Sequence, residues 1–587
     1  MTSKFEEFIK EALASIGIGL TVGASTALLF DLYSYLSSFR RILINFSGLA
    51  TVFSVIAGIL AAHFIVQRLA VVKSTGCGTS QVIEAYHYRK GAISARDFSS
   101  KTVASAVTIG LGGSAGLEGP SLLLGGGIAS MIAQKMRLTL EKVQTFMLSG
   151  AAAGLAAIFK APLTGVLFAL EIPFRKHLAK NVFIPASISS VASYLVFISI
   201  KGGETLFPFI PTVSLSLSNA LYATIEGVLA AAVGVSFVIF FRAVESRMLK
   251  VGSRGFFPLV GGLIVGSIGL VYPEVLGIGY DAISLSASGK LYEASISFLA
   301  MLLILKIVAT TVTLNFGGSG GLFIPSIFVG AMLGSLYTKL LNLGPNEILV
   351  MAAMAATIAA TNKTLLTSIA FVAETCGPSS IIPTVIAACI SYVISGNLSF
   401  YESQLPREPE EEERALAELH YLARSGFLRE AAEIKVKDVM RANPVAIHED
   451  TSIKDAFAIM DRYGFRVYPV VNDEGSIIGV AKVEDVLATP MEKWDLPISQ
   501  VTIKAALITL KEDKLYKLME EMIERGEDHA YVVLDKKSME LVGVISGMDI
   551  IRELLKRVAA KTQGRSREGQ QTGAPKVSRN ERSGAKR

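Results

Sequence analysis

The chain has 587 residues, of which 51% are hydrophobic, and its mean hydropathy is +0.50. That apolar content excludes an ordinary soluble protein of this length. Residues 1–400 carry 43 of the charged side chains and residues 401–587 carry 63. The first part is therefore about 11% charged and the second about 34%, which predicts that the first lies in lipid and the second in water.

Apolar stretches fill residues 11–400 and are of two kinds. A run of ~20 apolar residues can cross a bilayer. Such runs occupy residues 11–30, 48–72, 181–200, 219–241, 255–271, 293–314 and 381–395. Shorter runs, broken by glycine or proline, occupy residues 103–112, 120–134, 161–171 and 322–338. The short runs predict helices that end inside the membrane, where their free backbone groups must face protein, water or an ion.

The membrane part contains an internal repeat. Residues 113–130 align with residues 318–335, and residues 160–171 align with residues 363–374. The two offsets, 205 and 203, are nearly equal, and a proline and a glutamate recur at matching positions. Two halves with matching broken helices predict an all-α transporter domain built from a duplicated repeat, with its site where the halves meet.

The composition changes again after Tyr401. An acidic helix is followed by two segments of similar pattern, each a strand, a helix, two strands and a helix, which predicts an α/β module. This pattern resembles a tandem pair of CBS domains. We place the boundaries at 1–405 for the membrane domain, 406–433 for a linker helix, 434–490 and 496–558 for the two CBS domains, and 559–587 for a tail.

The tail accounts for the whole positive charge of the chain. Residues 561–587 carry eight basic and two acidic groups, a surplus of six that equals the net charge of +6. Because the tail is also rich in glycine, serine and glutamine, we expect it to be disordered. Its expected role is solubility, with binding to anionic lipid as the alternative, and no nucleic-acid partner is expected.

The segment GSAGLEGPS, residues 113–121, predicts the start of a helix inside the membrane. Glycine allows the backbone to approach closely, and Pro120 suits a first helical turn. The free N–H groups of such a start bind anions, and the carboxylate of Glu118 is placed to compete for them. Because protonation would release this side chain, we predict that Glu118 is a gate. The alternative is a glutamate that caps the helix.

Two further glycine turns predict helix starts of the same kind. GLFIP, residues 321–325, repeats the pattern without the acid, and the turn before residue 80 supplies a third start. Three helix N-termini aimed at one point would form a positive site without a buried lysine. Such a site could strip chloride of its water and still release it.

These motifs resemble those of the CLC family of chloride channels and chloride/proton antiporters. Residues 76–80 resemble the family's GSGIP, residues 116–120 its GREGP and residues 321–325 its GIFAP, in the same order. A trailing CBS pair is common in that family. The resemblance implies a homodimer with one anion pathway per subunit, and a multi-pass protein of the cell membrane with its CBS pair and C-terminus in the cytoplasm.

The resemblance also implies roles for particular residues. Glu118 resembles the gating glutamate, and the backbone N–H groups of Leu322 and Phe323 would bind the central anion. The hydroxyl of Tyr401 would coordinate the same anion, with an aromatic anchor at the membrane edge as the alternative. The other residues expected to bind the anion are Cys77, Gly78, Gly116, Leu117, Gly119 and Gly321.

Three positions depart from the family's pattern. Cys77 stands where a serine is usual, and a thiol is a larger and weaker donor, so the preferred anion is open. Leu117 replaces the arginine of GREGP. Ile172 occupies the place of the proton acceptor of antiporters, after Glu171, which resembles a structural acid shared with its repeat partner Glu374. Since isoleucine carries no proton, channel-like or weakly coupled transport is expected, with strict antiport as the alternative.

The second CBS copy contains GVISGMD, residues 543–549, which fits the family's G-h-h-[ST]-x-x-D nucleotide motif. Asp549 would accept the ribose hydroxyls and Ser546 would contact ribose or phosphate. The first copy has Lys482 in place of the hydroxyl residue, so one adenosine site is expected. ATP, ADP or AMP is expected as a regulatory ligand, and no cofactor is expected to be required. The alternative is a CBS pair with a structural role and no ligand. The remaining expected contacts are Phe465 for adenine and Arg466 for phosphate.

The sequence as a whole predicts transmembrane transport of chloride or a similar small anion, gated by a glutamate and regulated by a nucleotide. A CBS-regulated cation transporter is the distant alternative, but it requires clustered acids, and Glu118, Glu171 and Glu374 are few and scattered. A sensor with a plain membrane anchor would not need duplicated broken helices. The sequence pattern contains no nucleophile–base pair or metal-ligand cluster of the kind an enzyme needs.

Overall fold

The computed structural model describes residues 2–207, 216–251, 255–408, 415–420, 433–500 and 505–557. The chain forms two compact units, Met1–Glu408 and Pro409–Arg587. Of the linker predicted at 406–433, the described residues 415–420 are helical. The predicted tail at 559–587 lies outside the described residues.

The first unit is helical over nearly all of its described length. Its α-helices, in chain order, are α1 Thr2–Phe46, α2 Ala50–Leu69, α3 Gly78–Tyr88, α4 Ala95–Gly110, α5 Glu118–Lys135, α6 Leu140–Phe159, α7 Pro162–Glu171, α8 Phe183–Lys201, α9 Leu217–Val251, α10 Phe257–Val271, α11 Tyr280–Ala287, α12 Ile296–Asn315, α13 Phe323–Leu340, α14 Glu347–Asn362, α15 Leu365–Cys376 and α16 Ile381–Ile394. Among the described residues, seven helices are long and apolar enough to cross a membrane. They lie in α1, α2, α6, α8 together with the 3-10 turn Lys180–Val182 before it, α9, α12 and α13.

The predicted repeat is confirmed by the helices. α5 and α13, which start at the two signature motifs, each have 18 residues. Small residues let each of them pack closely on the next helix: a Cβ added to Gly125 would overlap the carbonyl oxygen of Gly150, and one added to Gly330 would lie 2.6 Å from the carbonyl oxygen of Ala353. Gly125 and Gly330 are 205 positions apart, so the two halves pack at equivalent points.

α7 and α15 are short helices that hold each other by their ends. Glu171, the last residue of α7, accepts the backbone N–H groups of Leu366 and Thr367, both at 2.8 Å. Glu374, near the end of α15, accepts those of Leu163 at 2.9 Å and Thr164 at 2.7 Å. Each glutamate therefore satisfies the free donors at the start of the other helix. This is the structural role expected of the pair.

The second unit is the predicted α/β module. Its helices include α17 Ile453–Tyr463, α18 Val483–Leu487, α19 Leu515–Arg525 and the helical residues 547–557. Its strands are β3 Arg441–Ala442, β4 Ile447–His448, β5 Val467–Val471, β6 Ile477–Lys482, β7 Ile508–Leu510, β8 His529–Val533 and β9 Leu541–Ser546. The first copy forms the sheet β4-β5-β6 and the second forms β7-β8-β9. β3 belongs to the first copy in sequence but pairs antiparallel with β9 of the second.

An apolar layer joins the two copies. Ile477 and Val480 of the first copy are buried against Tyr531 and Val533 of the second. Each copy also has its own core behind its sheet. The two copies thus form one folded body, which brings residues far apart in sequence beside the nucleotide motif.

Candidate functional site

Three helices begin at one point in the membrane unit: α3, α5 and α13. Two short strands bring their starts together, because β1 Gly76–Cys77 pairs in parallel with β2 Ser319–Gly320. The two signature loops are also paired: the N–H of Gly116 donates to the carbonyl of Gly321 at 3.0 Å, and the N–H of Gly321 donates to that of Gly116 at 2.8 Å. The predicted convergence of helix starts is present.

The glycines at this point leave the space that the Glu118 carboxylate fills and let the backbones approach closely. A Cβ on Gly116 or on Gly321 would overlap the carboxylate oxygens of Glu118. A Cβ on Gly78 would lie 2.6 Å from the carbonyl oxygen of Gly119. The backbones of α3, α5 and α13 are therefore close enough for one small ion to contact more than one helix start.

The carboxylate of Glu118 occupies the start of a helix other than its own. Its Oε1 accepts the N–H of Phe323, the first residue of α13, at 2.6 Å. The side chain is fully buried, and its Oε2 has no hydrogen-bond partner among the described residues. Glu118 thus caps α13 although it is the first residue of α5. An anion at the same N–H would have to displace it.

The remaining residues of the two signature motifs are buried around this carboxylate. Leu117 and Leu322 are the residues that precede α5 and α13, and both are at most 1% exposed. The ring of Phe323 packs against Phe159 and Phe371, with both centroid distances at 5.3 Å. The surroundings of the helix starts are therefore apolar, apart from the backbone donors and the carboxylate.

Tyr401 is 1% exposed, so the alternative of an aromatic anchor at the membrane edge is wrong. Its hydroxyl donates to Oδ1 of Asn362 at 2.7 Å and also faces the side chains of Cys77 and Thr79. The hydroxyl of Thr79 is buried and has no hydrogen-bond partner among the described residues. Neither Asn362 nor Thr79 was predicted from the sequence. Only the position of Thr79 in the first turn of α3 could have indicated it.

The expectation of a site without a buried lysine is wrong. Lys101, Lys306 and Lys363 are each at most 2% exposed. Lys306 lies beside α13, with its Nζ 4.8 Å from the centroid of the Phe328 ring, and its ammonium is solvated by backbone carbonyl oxygens. Carbonyls in a turn can replace water around a cation, so a lysine in the membrane need not reach the membrane edge. The membrane unit also contains a buried acid beyond the three named from the sequence, because Glu226 of α9 is fully buried.

Ile172 follows the last residue of α7 and is fully buried. The position that the resemblance assigns to the proton acceptor of antiporters thus holds an apolar side chain that packs in the interior. Its neighbour Glu171 is engaged by the start of α15. Ile172 has no titratable group, and the carboxylate of Glu171 already accepts these two hydrogen bonds.

In the second unit, Ser546 and Asp549 of the nucleotide motif lie together. The hydroxyl of Ser546 donates to Oδ2 of Asp549 at 2.7 Å, and Nε of Arg441 donates to Oδ1 at 2.9 Å. Burial acts to raise the pKa of Asp549, but the hydrogen bonds from Ser546 and Arg441 together hold that pKa below its usual value. Arg441 was not predicted from the sequence, because it reaches the motif only through the pairing of β3 with β9.

The other two expected nucleotide contacts have partners within the first copy. Phe465 is 49% exposed and packs on Tyr468, with ring centroids 5.9 Å apart. Arg466 pairs with Glu484 at 2.7 Å. Lys482, at the position of Ser546 in the other copy, pairs with Glu527 across the two copies at 3.4 Å. None of these three contacts connects Phe465 or Arg466 with Asp549.

Comparison with known families agrees with these features. The family model described as "Voltage gated chloride channel" matches residues 53–396. The chain belongs to this CLC family. The CBS domain model matches residues 436–492 and 498–556, so this CLC chain carries a tandem CBS pair.

Several curated proteins resemble the CLC chain. It is 30% identical over 299 residues to the voltage-gated ClC-type chloride channel ClcB of Citrobacter koseri, which covers 49% of this chain and 70% of that protein. It is 28% identical to the H(+)/Cl(-) exchange transporter ClcA of Klebsiella pneumoniae, over 56% of this chain and 72% of that protein. An uncharacterized protein of Methanocaldococcus jannaschii is 27% identical over 67% of this chain and 95% of its own length.

Solved structures show the same fold. A CLC-type fluoride/proton antiporter has a TM-score of 0.61 and 24% identity, and it covers 69% of this chain and 99% of its own. A eukaryotic CLC transporter has a TM-score of 0.58 and 18% identity, and it covers 92% of this chain and 98% of its own. The family, the fold and the apolar helices together establish a multi-pass membrane protein of the CLC anion-transport type.

Proposed function

We propose that this CLC chain carries chloride or a similar small anion along the starts of α3, α5 and α13, with Glu118 as the gate. The observation that supports the proposal is the 2.6 Å hydrogen bond from the N–H of Phe323 to the Glu118 carboxylate. A carboxylate on a helix start marks a place where the backbone binds negative charge. An anion and the side chain compete for this donor, so transport requires the side chain to leave.

Protonation is the expected trigger for that departure. A neutral carboxyl group is held less strongly than a carboxylate by a helix N-terminus. The free Oε2 of Glu118 is the oxygen at which a proton would be added without breaking a hydrogen bond. Anion flux is therefore expected to rise as the pH falls.

Ile172 supports channel-like or weakly coupled transport. A coupled exchanger needs a path for protons from the second side of the membrane to Glu118, and an isoleucine at the acceptor position removes the usual step. Strict chloride/proton antiport is the second candidate, because the Klebsiella relative is described as an exchange transporter. Fluoride is a second anion to test, for two reasons. A solved neighbour is described as a fluoride/proton antiporter, and Cys77 stands where the family usually has a serine.

We further infer that the protein is a homodimer in the cell membrane with one anion pathway per subunit, and that the CBS pair and C-terminus lie in the cytoplasm. Adenine nucleotide is proposed to bind at Ser546 and Asp549 and to regulate transport. The pairing of Asp549 with Arg441 supports a site that already assembles an acceptor for ribose and a cation for phosphate.

The experiment is to record chloride efflux and proton uptake together from liposomes that contain the full chain. Glu118→Gln removes the charge and keeps the shape, so flux is expected to rise at neutral pH and to lose its pH dependence. Glu226→Gln is the matched control, since Glu226 is equally buried but lies on α9. Flux that is the same in Glu118→Gln and in the unsubstituted chain at every pH would overturn the proposed gate.

The same recording separates the two mechanisms. For channel-like transport, a chloride gradient is expected to move few or no protons. Uphill proton movement driven by the chloride gradient would show coupled exchange and overturn the inference from Ile172. Repeating the recording with fluoride instead of chloride compares the two anions under identical conditions.

A further inference from the structure

We propose that Lys306 is a positioning residue of the anion pathway: a buried ammonium group, held in place by backbone carbonyls, that stabilises whichever anion occupies the start of α13. The occupant is either the Glu118 carboxylate or the transported anion. Lys306 thereby supplies a charge in a pathway where Leu117 replaces the arginine of the family's motif. This inference rests on the proposed function and names a further residue that determines anion affinity.

The surroundings of Lys306 fit an ammonium group. Its Nζ donates to the carbonyl oxygens of Val275 and Gly277, both at 3.0 Å, and of Ile278 at 3.3 Å. A charged lysine has three N–H donors and no acceptor, so three carbonyls match the charged form. All three belong to the turn before α11, which therefore fixes the position of the charge.

A second contact places this charge beside the first turns of α13. Nζ of Lys306 lies 4.8 Å from the centroid of the Phe328 ring, on whose face a cation is attracted. Phe328 comes five residues after Phe323, about 7.5 Å along the helix axis. Gly279 makes room for the contact, since a Cβ there would lie 2.7 Å from the Phe328 ring and 3.4 Å from Nζ.

The charge of Lys306 is not cancelled by a neighbouring acid. Among the described residues, its hydrogen-bond partners are the three carbonyls, and the carboxylate of Glu118 holds the N–H of Phe323, five residues before the Phe328 ring that the ammonium contacts. Carbonyl dipoles solvate the ammonium but leave its net charge, which acts over a longer distance in a dry interior than in water. When Glu118 leaves the site, an incoming anion takes over this interaction.

The repeat contains an equivalent lysine in a different setting. Lys101 of α4 precedes Glu118 by 17 residues, as Lys306 precedes Phe323, and the two lysines are 205 positions apart. Nζ of Lys101 donates to a carbonyl of the turn before α3, that of Thr75, at 3.5 Å. The duplication thus kept the lysine in both halves. Among the described residues, the ammonium of Lys101 has one carbonyl partner and that of Lys306 has three.

The test measures chloride binding to the purified full chain by titration calorimetry and chloride flux in liposomes. All variants carry Glu118→Gln, so that chloride is the only anion competing for the helix start. Lys306→Gln removes the charge and keeps N–H donors for the carbonyls, and Lys306→Met removes both. Lys306→Arg keeps the charge. The matched control is Lys339→Met at the far end of α13, where Nζ also donates to a carbonyl, that of Tyr292, and contacts its ring.

Lys306→Gln and Lys306→Met are expected to weaken chloride binding about tenfold and to raise the chloride concentration for half-maximal flux, with a smaller change in maximal flux. Lys306→Arg is expected to restore affinity, and Lys339→Met to leave it unchanged. Unchanged affinity in Lys306→Gln, or an equal loss in Lys306→Arg or Lys339→Met, would overturn the role of the charge. Failure of the gate itself would appear separately, as unaltered pH dependence in Glu118→Gln alone.

Discussion

At the scale of single residues, the hydroxyl of Thr79 is the clearest polar group with an unfilled hydrogen bond along the proposed anion pathway. It is buried in the first turn of α3 beside Cys77 and Tyr401, and among the described residues no group meets the geometry of a hydrogen bond with it. A buried hydroxyl without a partner costs about 1–3 kcal/mol. Such a group is stable there if the transported anion accepts its hydrogen bond.

Thr79→Val is therefore expected to weaken anion binding without weakening the fold. Valine has the shape of threonine and lacks only the hydroxyl, so the unfolding temperature in detergent should stay the same or rise while chloride affinity falls several-fold. Calorimetric titration and thermal unfolding of the same preparations measure both. The control is Thr108→Val, because the hydroxyl of Thr108 donates to Ala104 and accepts from Ser319. A loss of stability in Thr79→Val as large as in Thr108→Val would contradict an unpartnered hydroxyl.

At the scale of elements, α7 and α15 depend on each other's terminal glutamates. Each carboxylate accepts two backbone N–H groups and one threonine hydroxyl, that of Thr367 for Glu171 and that of Thr164 for Glu374, both at 2.6 Å. Hydrogen bonds to a carboxylate are stronger than those to a neutral oxygen. The pair links the two halves of the repeat next to Ile172.

Glu171→Gln and Glu374→Gln are each expected to lower the free energy of unfolding by about 1–2 kcal/mol, because an amide offers one acceptor oxygen instead of two. Unfolding of the solubilised chain, followed by circular dichroism, measures the change. Glu141→Gln serves as the control, since Glu141 is an exposed acid in the first turn of α6. If the two buried substitutions cost no more than Glu141→Gln, the reciprocal capping contributes nothing to stability.

At the scale of the whole molecule, regulation requires that nucleotide bound to the second unit changes transport by the first. The proposed site holds Asp549 with Ser546 and Arg441. Ribose hydroxyls that bind Asp549 would compete with Arg441, which would then be free to bind phosphate. ATP, ADP and AMP are therefore expected to bind more tightly than adenosine.

Asp549→Ala is expected to abolish the effect of ATP on chloride flux and to weaken ATP binding at least tenfold, and Arg441→Gln to reduce the preference for ATP over adenosine. Because the pKa of Asp549 is held below its usual value, the carboxylate stays charged as the pH falls from 8 to about 5, and Asp549-dependent binding should not change over that range. Asp461→Asn, an exposed position on α17, is the control. ATP effects that survive Asp549→Ala would place the site elsewhere.

The sequence by itself determined the division into a lipid part and an aqueous part, the duplicated broken helices, the glycine turns at their starts and the CBS pair. These features are local: apolar runs, glycine, proline and motif spacing have the same structural meaning wherever they occur in the chain. The absence of a side-chain proton acceptor at Ile172 is likewise a property of one position.

Only the tertiary structure decided which partners these groups meet. Glu118, the first residue of α5, caps α13, Arg441 reaches Asp549 through a strand exchanged between the copies, and Lys306 is solvated by a turn about 30 residues before it in the chain. None of these pairings leaves a local pattern, because each depends on how distant segments pack. The expectation of a site without a buried lysine failed for this reason: whether a charge in a membrane helix reaches water or is solvated by carbonyls is determined by the fold around it.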